Sequence, residues 1–144
     1  MIIRSKLIPV AVLSLGILVT ARTASSAPSQ ADIPYATSAT GAPLKLDLYL
    51  PAAAGAPLLV WLHGGAWENG NKSSMPLAPF VERGFAVASV DFSPASKARF
   101  PGQVHEIKAA IRFLRAEASR YGYDASRIGI LGASSGAHLA DVVG

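Results

Sequence analysis

The chain has 144 residues, enough for one domain of ordinary size, and 51% of them are apolar, enough for a buried core. It contains no cysteine, which excludes disulfides, thiolate metal sites and a lipid-modified N-terminal cysteine. Three of the 13 basic residues lie before residue 28 and all nine acidic residues lie after it, so the rest of the chain is nearly neutral and gives no electrostatic case for a nucleic-acid partner.

The N-terminus has the pattern of an export signal. Arg4 and Lys6 supply positive charge, residues 7–19 are mostly apolar, and residues 24–27 supply small side chains for cleavage near Ala27. The apolar stretch is shorter than the about 20 residues of a membrane span, and an uncleaved anchor is the alternative. We therefore expect a signal peptide over residues 1–27, periplasmic or extracellular localisation, and no stable membrane insertion after cleavage.

The polar, small residues 28–34 predict a linker, and residues 35–144 the domain that follows. A short strand is predicted over residues 33–38. Residues 44–50 alternate apolar and polar side chains, typical of a half-buried strand. Residues 58–62 are continuously apolar, typical of a strand buried on both faces, and the glycine-rich stretch 63–71 follows them.

The second half of the domain alternates helix and strand patterns. In chain order the pattern predicts a helix over 75–83, a strand over 85–90, a long helix from about Val104 to Gly122, a turn over 124–127 and a strand over 128–131. Strands that alternate with helices predict the α/β class, with a mostly parallel sheet and helices on both faces. No second domain is expected.

Residues 132–136 form a G-x-S-x-G pentapeptide between the last strand and a helical pattern. On so tight a turn, the Ser134 hydroxyl is exposed above the sheet and its backbone is strained. Side chains at Gly132 and Gly136 would collide with the neighbouring strand or helix. The pentapeptide alone is common enough to arise by chance, but its strand–turn–helix context indicates a nucleophile.

A second motif, His-Gly-Gly-Ala-Trp over residues 63–67, directly follows the buried strand 58–62. Adjacent glycines allow backbone N–H groups to turn towards a ligand, and such groups stabilise the oxyanion of an acyl transfer. A glycine turn after a strand is the alternative for this motif by itself. Its pairing with the pentapeptide favours the oxyanion interpretation.

With both motifs, the chain resembles the N-terminal part of α/β-hydrolases, on the branch of hormone-sensitive-lipase-like and bacterial feruloyl-esterase-like carboxylesterases. The resemblance extends over about residues 33–144 and is carried by residues 47–51, 60–67 with Gly70 and Lys72, 90–93, 100–101 and 127–140. It implies an acyl-enzyme on Ser134, oxyanion donors at Gly64, Gly65 and Ser135, and a small-molecule ester substrate, short-acyl or carbohydrate-linked. Relatives usually carry alanine at the position of Ser135. No metal or other cofactor is implied, and the oligomeric state is not indicated.

The general base is the main departure from the family pattern. The family's acid and histidine follow the nucleophile well downstream, and the chain given ends ten residues after Ser134. Ser134, His138 and Asp141 have the spacing of one helix face, but Ser134 precedes the helix, so a local triad is not expected. His138 is expected to pack, and His105 to be solvated.

The remaining polar and aromatic positions give expectations of their own. His63 is expected to be structural or substrate-facing, and Trp67, like Phe92, either lines a substrate pocket or packs. Asp91 is expected to form a turn. Glu68 and Lys72 are expected to be solvated.

We therefore expect a piece of a longer serine hydrolase that shows no ester turnover by itself. The alternatives are a non-catalytic remnant or binding module, and an α/β-hydrolase of peptidase or formamidase type.

Overall fold

The computed structural model describes residues 27–144, so that the predicted signal peptide lies, apart from Ala27, outside the described residues. These residues form five strands and four helices, which are β1 Gln30–Thr37, β2 Pro43–Tyr49, β3 Ala56–Leu62, α1 Ala78–Glu82, β4 Ala86–Val90, α2 Gly102–Ala116, α3 Ala118–Tyr121, β5 Tyr123–Gly132 and α4 Ser135–Val143. Within this part of the chain, no helix is long and apolar enough to cross a bilayer.

The strands form one sheet in the order β1-β2-β4-β3-β5. β3 is parallel to both of its neighbours, β4 and β5. β1 and β2 pair antiparallel, and β2 also runs antiparallel to β4. The connection between β1 and β2 is short enough for a hairpin, whereas parallel neighbours require a crossover connection. The α/β class is therefore confirmed, and the parallel part of a mixed sheet comprises β4, β3 and β5.

Helices cover both faces of the sheet, as predicted. On one face, Leu58, Val60 and Leu62 of β3 pack in the core that α2, α3 and α4 complete. On the other face, Trp61 packs with Val87 and with Val81 of α1. The alternation along β3 explains its continuous apolar run, because a strand covered on both faces has no solvent-exposed side.

Several element boundaries differ from those predicted, among them the division of the long helix into α2 and α3. β1 begins at Gln30, so part of the stretch 28–34 that we assigned to a linker belongs to a strand. α1 is shorter than predicted and begins at Ala78, with a proline in its first turn. The residues before α1 are not helical. There the Ser74 carbonyl accepts a hydrogen bond from the Trp61 indole N–H at 2.6 Å, which holds this segment against the sheet.

The predicted turn over residues 124–127 lies inside β5, where the pairing with β3 shifts register between Pro57 and Leu58. The Asp124 carboxylate accepts hydrogen bonds from the backbone and hydroxyl of Ser126 and pairs with Arg127 at 2.6 Å. The hydrogen bond from the Ser126 hydroxyl has the largest effect, and together with the bond from Arg127 it lowers the pKa of Asp124 to about 2. The predicted turn is therefore a local break in the regular pairing of β5 with β3, within a strand that is longer than predicted.

Candidate active site

The two motifs meet because β3 and β5 are parallel neighbours. Leu62 at the end of β3 pairs with Gly132 at the end of β5, and the Ala133 N–H donates to the Leu62 carbonyl at 3.2 Å. The glycine loop, residues 63–71, and the turn at Ser134 therefore leave the sheet side by side at its carboxyl edge. In open α/β sheets, this edge is where ligands bind.

Ser134 occupies a strained turn between β5 and α4. Its φ of 49° and ψ of −115° lie where residues with a side chain are rarely found. The residue is exposed, and its carbonyl accepts the His138 N–H at 3.1 Å as α4 begins. The structure thus has the exposed, strained serine that the pentapeptide predicts.

The two glycines of the pentapeptide are places of close backbone approach. A Cβ at Gly132 would overlap the backbone of Gly136. A Cβ at Gly136 would overlap the Leu62 carbonyl and lie 2.5 Å from the His63 carbonyl oxygen. Only hydrogen at these positions allows α4 to pack directly on the end of β3, and this contact fixes the direction of the Ser134 turn.

The glycine loop contacts the turn through Gly64. A Cβ at Gly64 would lie 3.0 Å from the Ala133 carbonyl oxygen and 3.5 Å from Ser134 Cβ. Gly65 has a φ of 134°, and its carbonyl accepts the N–H groups of Glu68 and Asn69 at 3.1 and 2.9 Å.

The donors expected for an oxyanion remain free of competing protein acceptors. Among residues 27–144, the N–H groups of Gly64 and Gly65 donate no hydrogen bond to the protein. Ser135 is the first residue of α4, and the N–H groups of a first helical turn have no partner within their helix. The helix dipole adds partial positive charge at the same end. These N–H groups are therefore available to donate hydrogen bonds to a negatively charged ligand atom near Ser134.

His63 packs in the interior of the described structure. The residue is 4% exposed, and its ring stacks on Phe92 at 4.4 Å between centroids. Its Nδ1 lies 2.9 Å from the Gly64 carbonyl. These contacts favour the structural alternative for His63 and the packing alternative for Phe92, and a substrate-facing role for His63 stays a prediction.

Trp67 points outward, unlike His63. It is 41% exposed, with a φ of 62°, and its ring meets the His138 ring edge-on at 5.6 Å. The contact joins the glycine loop to α4. A substrate-facing role for Trp67 stays a prediction.

The histidines of the described chain do not complete a triad. His138 was expected to pack, and it contacts the Trp67 ring but remains exposed, whereas His105 is exposed on α2 as expected. Within residues 27–144, no imidazole is hydrogen-bonded to the Ser134 hydroxyl. The helical spacing of Ser134, His138 and Asp141 is thus not accompanied by a hydrogen bond from His138 to the Ser134 hydroxyl in this part of the chain.

The structure corrects the expectations for Lys72 and Asp91. Lys72 is not a solvated side chain, and the Asp91 carboxylate binds a distant backbone group instead of forming a local turn. The Lys72 ammonium lies 2.9 Å from Asp47 and 3.1 Å from Asp32, with its side chain 14% exposed. Burial alone would lower the pKa of Lys72, but these two carboxylates together raise it. The Asp91 carboxylate accepts the Lys72 N–H at 2.6 Å, while burial raises the pKa of Asp91.

The sequence carried only a weak signal of this ion pair. Asp47 lies on the face of β2 that also carries Tyr49, and both are buried. An acidic residue among buried neighbours requires a charged or hydrogen-bonding partner. The aromatic residue two positions from Asp47 hinted at such a face, but the identity of the partner, Lys72, depends on the fold.

Ser135 carries a buried hydroxyl that no protein group bonds. The residue is 2% exposed, and its Oγ has no hydrogen-bond partner among residues 27–144. We expect Ser135→Ala to raise the free energy of unfolding by about 1 kcal/mol, because the variant no longer buries an unsatisfied polar group. Urea unfolding of the purified chain measures the change.

Ser93→Ala is the matched control for this substitution. Ser93 is also buried, but its hydroxyl donates to Glu106 at 2.8 Å. Its loss is expected to lower the free energy of unfolding by about 1 kcal/mol. Equal destabilisation by both substitutions would show that the Ser135 hydroxyl is satisfied.

Comparisons with known proteins agree with this geometry. A protein-family model described as BD-FAE matches residues 46–144. The chain is 35% identical over 116 residues to esterase LipQ of Mycobacterium tuberculosis, covering 76% of this chain and 27% of that protein. It is 32% identical over 116 residues to kynurenine formamidase of Danio rerio, covering 78% of this chain and 37% of that protein.

Two solved structures share the fold at similar identity. A truncated form of a carbohydrate esterase from gut microbiota has a TM-score of 0.71 and 35% identity, covering 82% of this chain and 42% of that one. A bacterial heroin esterase has a TM-score of 0.66 and 34% identity, covering 76% and 35%. The chain thus spans less than half of the length of each of these relatives. The match to the family model over most of its residues shows that the chain belongs to the BD-FAE family of α/β-hydrolase esterases.

Proposed function

We propose that the chain supplies the nucleophile and the oxyanion-binding side of a serine hydrolase for carboxylic esters, either short-acyl or carbohydrate-linked. The observation that carries the proposal is the contact between the two motifs, where Gly64 lies directly against the strained and exposed Ser134. The esterases and the carbohydrate esterase among its relatives support the ester class.

In the proposed reaction, the Ser134 oxygen attacks the carbonyl carbon of the ester while a base takes the hydroxyl proton. The tetrahedral oxyanion accepts hydrogen bonds from the N–H groups of Gly64, Gly65 and Ser135. Collapse expels the alcohol, which receives the proton, and leaves the acyl group on Ser134. Water then releases the acid and restores the serine.

The base is the part that the described residues do not supply. A serine hydroxyl reacts slowly without one, and His63, His105 and His138 make no hydrogen bond with it. We therefore propose that the chain by itself turns over no ester. If the purified chain hydrolysed p-nitrophenyl butyrate and Ser134→Ala abolished that activity, this part of the proposal would be wrong.

Added imidazole tests the nucleophile separately from turnover, because it can take the proton that no side chain takes. The purified chain is incubated with p-nitrophenyl acetate and imidazole, and acetylation is located by peptide mass spectrometry. We expect Ser134 to be acetylated about tenfold faster than the other exposed serines of residues 27–144, because it is the serine that the proposal places beside the oxyanion donors.

Ser134→Ala is the control and should remove this acetylation while leaving that of the other serines unchanged. Acetylation of Ser134 no faster than that of Ser126, which is also exposed, would contradict the proposed function. It would favour the non-catalytic remnant or binding module.

A formamidase is the second candidate, and the similarity to kynurenine formamidase favours it. An amide-type formyl donor tests it in the same format. Imidazole-dependent formylation of Ser134 by N-formylkynurenine, without acetylation by the ester, would assign the chain to this class.

Export is also proposed, and only the sequence of the N-terminal 27 residues supports it. Expression of the gene in a bacterial host should give a mature chain that begins near residue 28 in the periplasm or medium. An intact N-terminus on cytoplasmic protein would contradict it.

A further inference from the structure

We propose that Lys72 is a positioning residue for the glycine loop, residues 63–71. In this proposal, its ion pair and its two backbone hydrogen bonds hold the N–H groups of Gly64 and Gly65 beside Ser134. The inference rests on the proposed function only in treating those N–H groups as oxyanion donors.

Every polar group of Lys72 is bound to the sheet. Its ammonium contacts Asp47 of β2 at 2.9 Å and Asp32 of β1 at 3.1 Å. Its N–H donates to the Asp91 carboxylate at 2.6 Å, and its carbonyl accepts the Ser89 hydroxyl at 2.6 Å. The residue immediately after the glycine loop is thus fixed to three strands.

Close backbone contacts connect the residues just before Lys72 to Gly64 and Gly65. Gly70, two residues before Lys72, lies so close to the Gly64 carbonyl that a Cβ would overlap it, and 2.5 Å separates that Cβ position from His63 Nδ1. Asn69 packs in the same way against Gly65. Residues 69 and 70 therefore lie in close backbone contact with the two glycines, so that a shift of one pair requires a shift of the other.

The backbone of the glycine loop explains why the loop needs a fixed point such as Lys72. Glycine loses more conformational freedom on folding than other residues do, and Ala66 and Trp67 hold φ values of 54° and 62° that residues with side chains disfavour. Such a segment stays ordered only where its surroundings determine it. Within the loop, the hydrogen bonds of Glu68 and Asn69 to Gly65 report whether it is closed.

Hydrogen exchange of these two amides tests the inference in the full chain. In Lys72→Met, the Glu68 and Asn69 amides should exchange about tenfold faster than in the wild type, while the amides of β3 and β4 change much less. Lys72→Arg should restore most of the protection. Lys45→Met is the matched control, because Lys45 also pairs with Asp32, at 3.6 Å, but its side chain has no described contact with the loop. In this variant the Glu68 and Asn69 amides should exchange at the wild-type rate.

The double variant Asp47→Asn, Lys72→Met guards against general unfolding, because it leaves no buried unpaired carboxylate. Faster exchange confined to the loop in this variant would support the inference. Wild-type protection of Glu68 and Asn69 would overturn it. So would equal acceleration in loop and strands, or failure of the double variant to fold, because either result would assign the ion pair to the stability of the whole sheet.

The two proposals can fail separately. If Ser134 is acetylated in the imidazole assay but the Glu68 and Asn69 amides of Lys72→Met exchange at the wild-type rate, the proposed function is supported and this inference is wrong. If the amides respond as expected but Ser134 is not acetylated, Lys72 orders a loop that serves another purpose. If both hold, Lys72→Met should slow the imidazole-dependent acetylation of Ser134 about tenfold.

Discussion

Gly136→Ala is expected to lower the free energy of unfolding by about 3 kcal/mol, near the upper end for overpacked sites. The added methyl group would overlap the Leu62 carbonyl and approach the His63 carbonyl oxygen to 2.5 Å. Both are backbone atoms at the end of a central strand, so they cannot rotate away as a side chain could. α4 must therefore move off β3, and the Ser134 turn moves with it. Urea unfolding, followed by tryptophan fluorescence, measures the loss.

Gly129→Ala is the matched control on the strand that leads into the same turn. There the new methyl would lie 3.3 Å from Leu59 Cδ2, the end of a flexible side chain that can yield. We expect a change of less than about 1 kcal/mol. Similar losses for the two substitutions would mean that α4 does not depend on its close contact with β3.

Gly70→Ala is expected to have the second large effect, also about 3 kcal/mol. Gly70 has a φ of 93°, which disfavours alanine, and the methyl would overlap the Gly64 carbonyl. In the imidazole assay, the variant should acetylate Ser134 about tenfold more slowly or not at all, because the displaced carbonyl belongs to a residue that supplies an oxyanion donor.

The control for Gly70 is Gly84→Ala, which separates backbone strain from crowding. Gly84 has a nearly identical φ of 89°, but a Cβ there has nothing within 4 Å. It should lose only about 1 kcal/mol, the cost of the left-handed conformation. If both variants lost the same free energy and Ser134 reacted equally in both, the contact between Gly70 and Gly64 would have no role in the site.

The sequence was sufficient for the parts of the site that depend on local backbone geometry. Gly132, Ser134 and Gly136 act within one turn, so their pattern predicts the strained serine directly. The apolar run of β3 and the stretch after it likewise predict a loop at a strand end. Parallel strands of one sheet place their carboxyl ends at the same edge, but the direct pairing of β3 with β5 appears only in the fold, because β4 lies between them in the chain.

The parts that depend on distant partners could not be predicted in the same way. Lys72 follows a glycine-rich segment, and a lysine there is solvated unless a buried carboxylate lies nearby. Asp47 is 25 residues earlier in the chain and reaches Lys72 because β2 pairs with β4, where Asp47 lies opposite Ser89, whose hydroxyl donates to the Lys72 carbonyl. The interior position of His63 depends similarly on the Phe92 ring, which follows β4.

The Asp47–Lys72 ion pair, with Asp47 buried and Lys72 largely covered, makes these two positions interdependent. Changing either one alone leaves a charge without its counterpart, whereas changing both to apolar residues of similar volume is often tolerated in proteins. A library of single substitutions would therefore rank uncharged residues at either position as unfavourable. Only a library that randomises them together could find the uncharged combinations through which this family could drift.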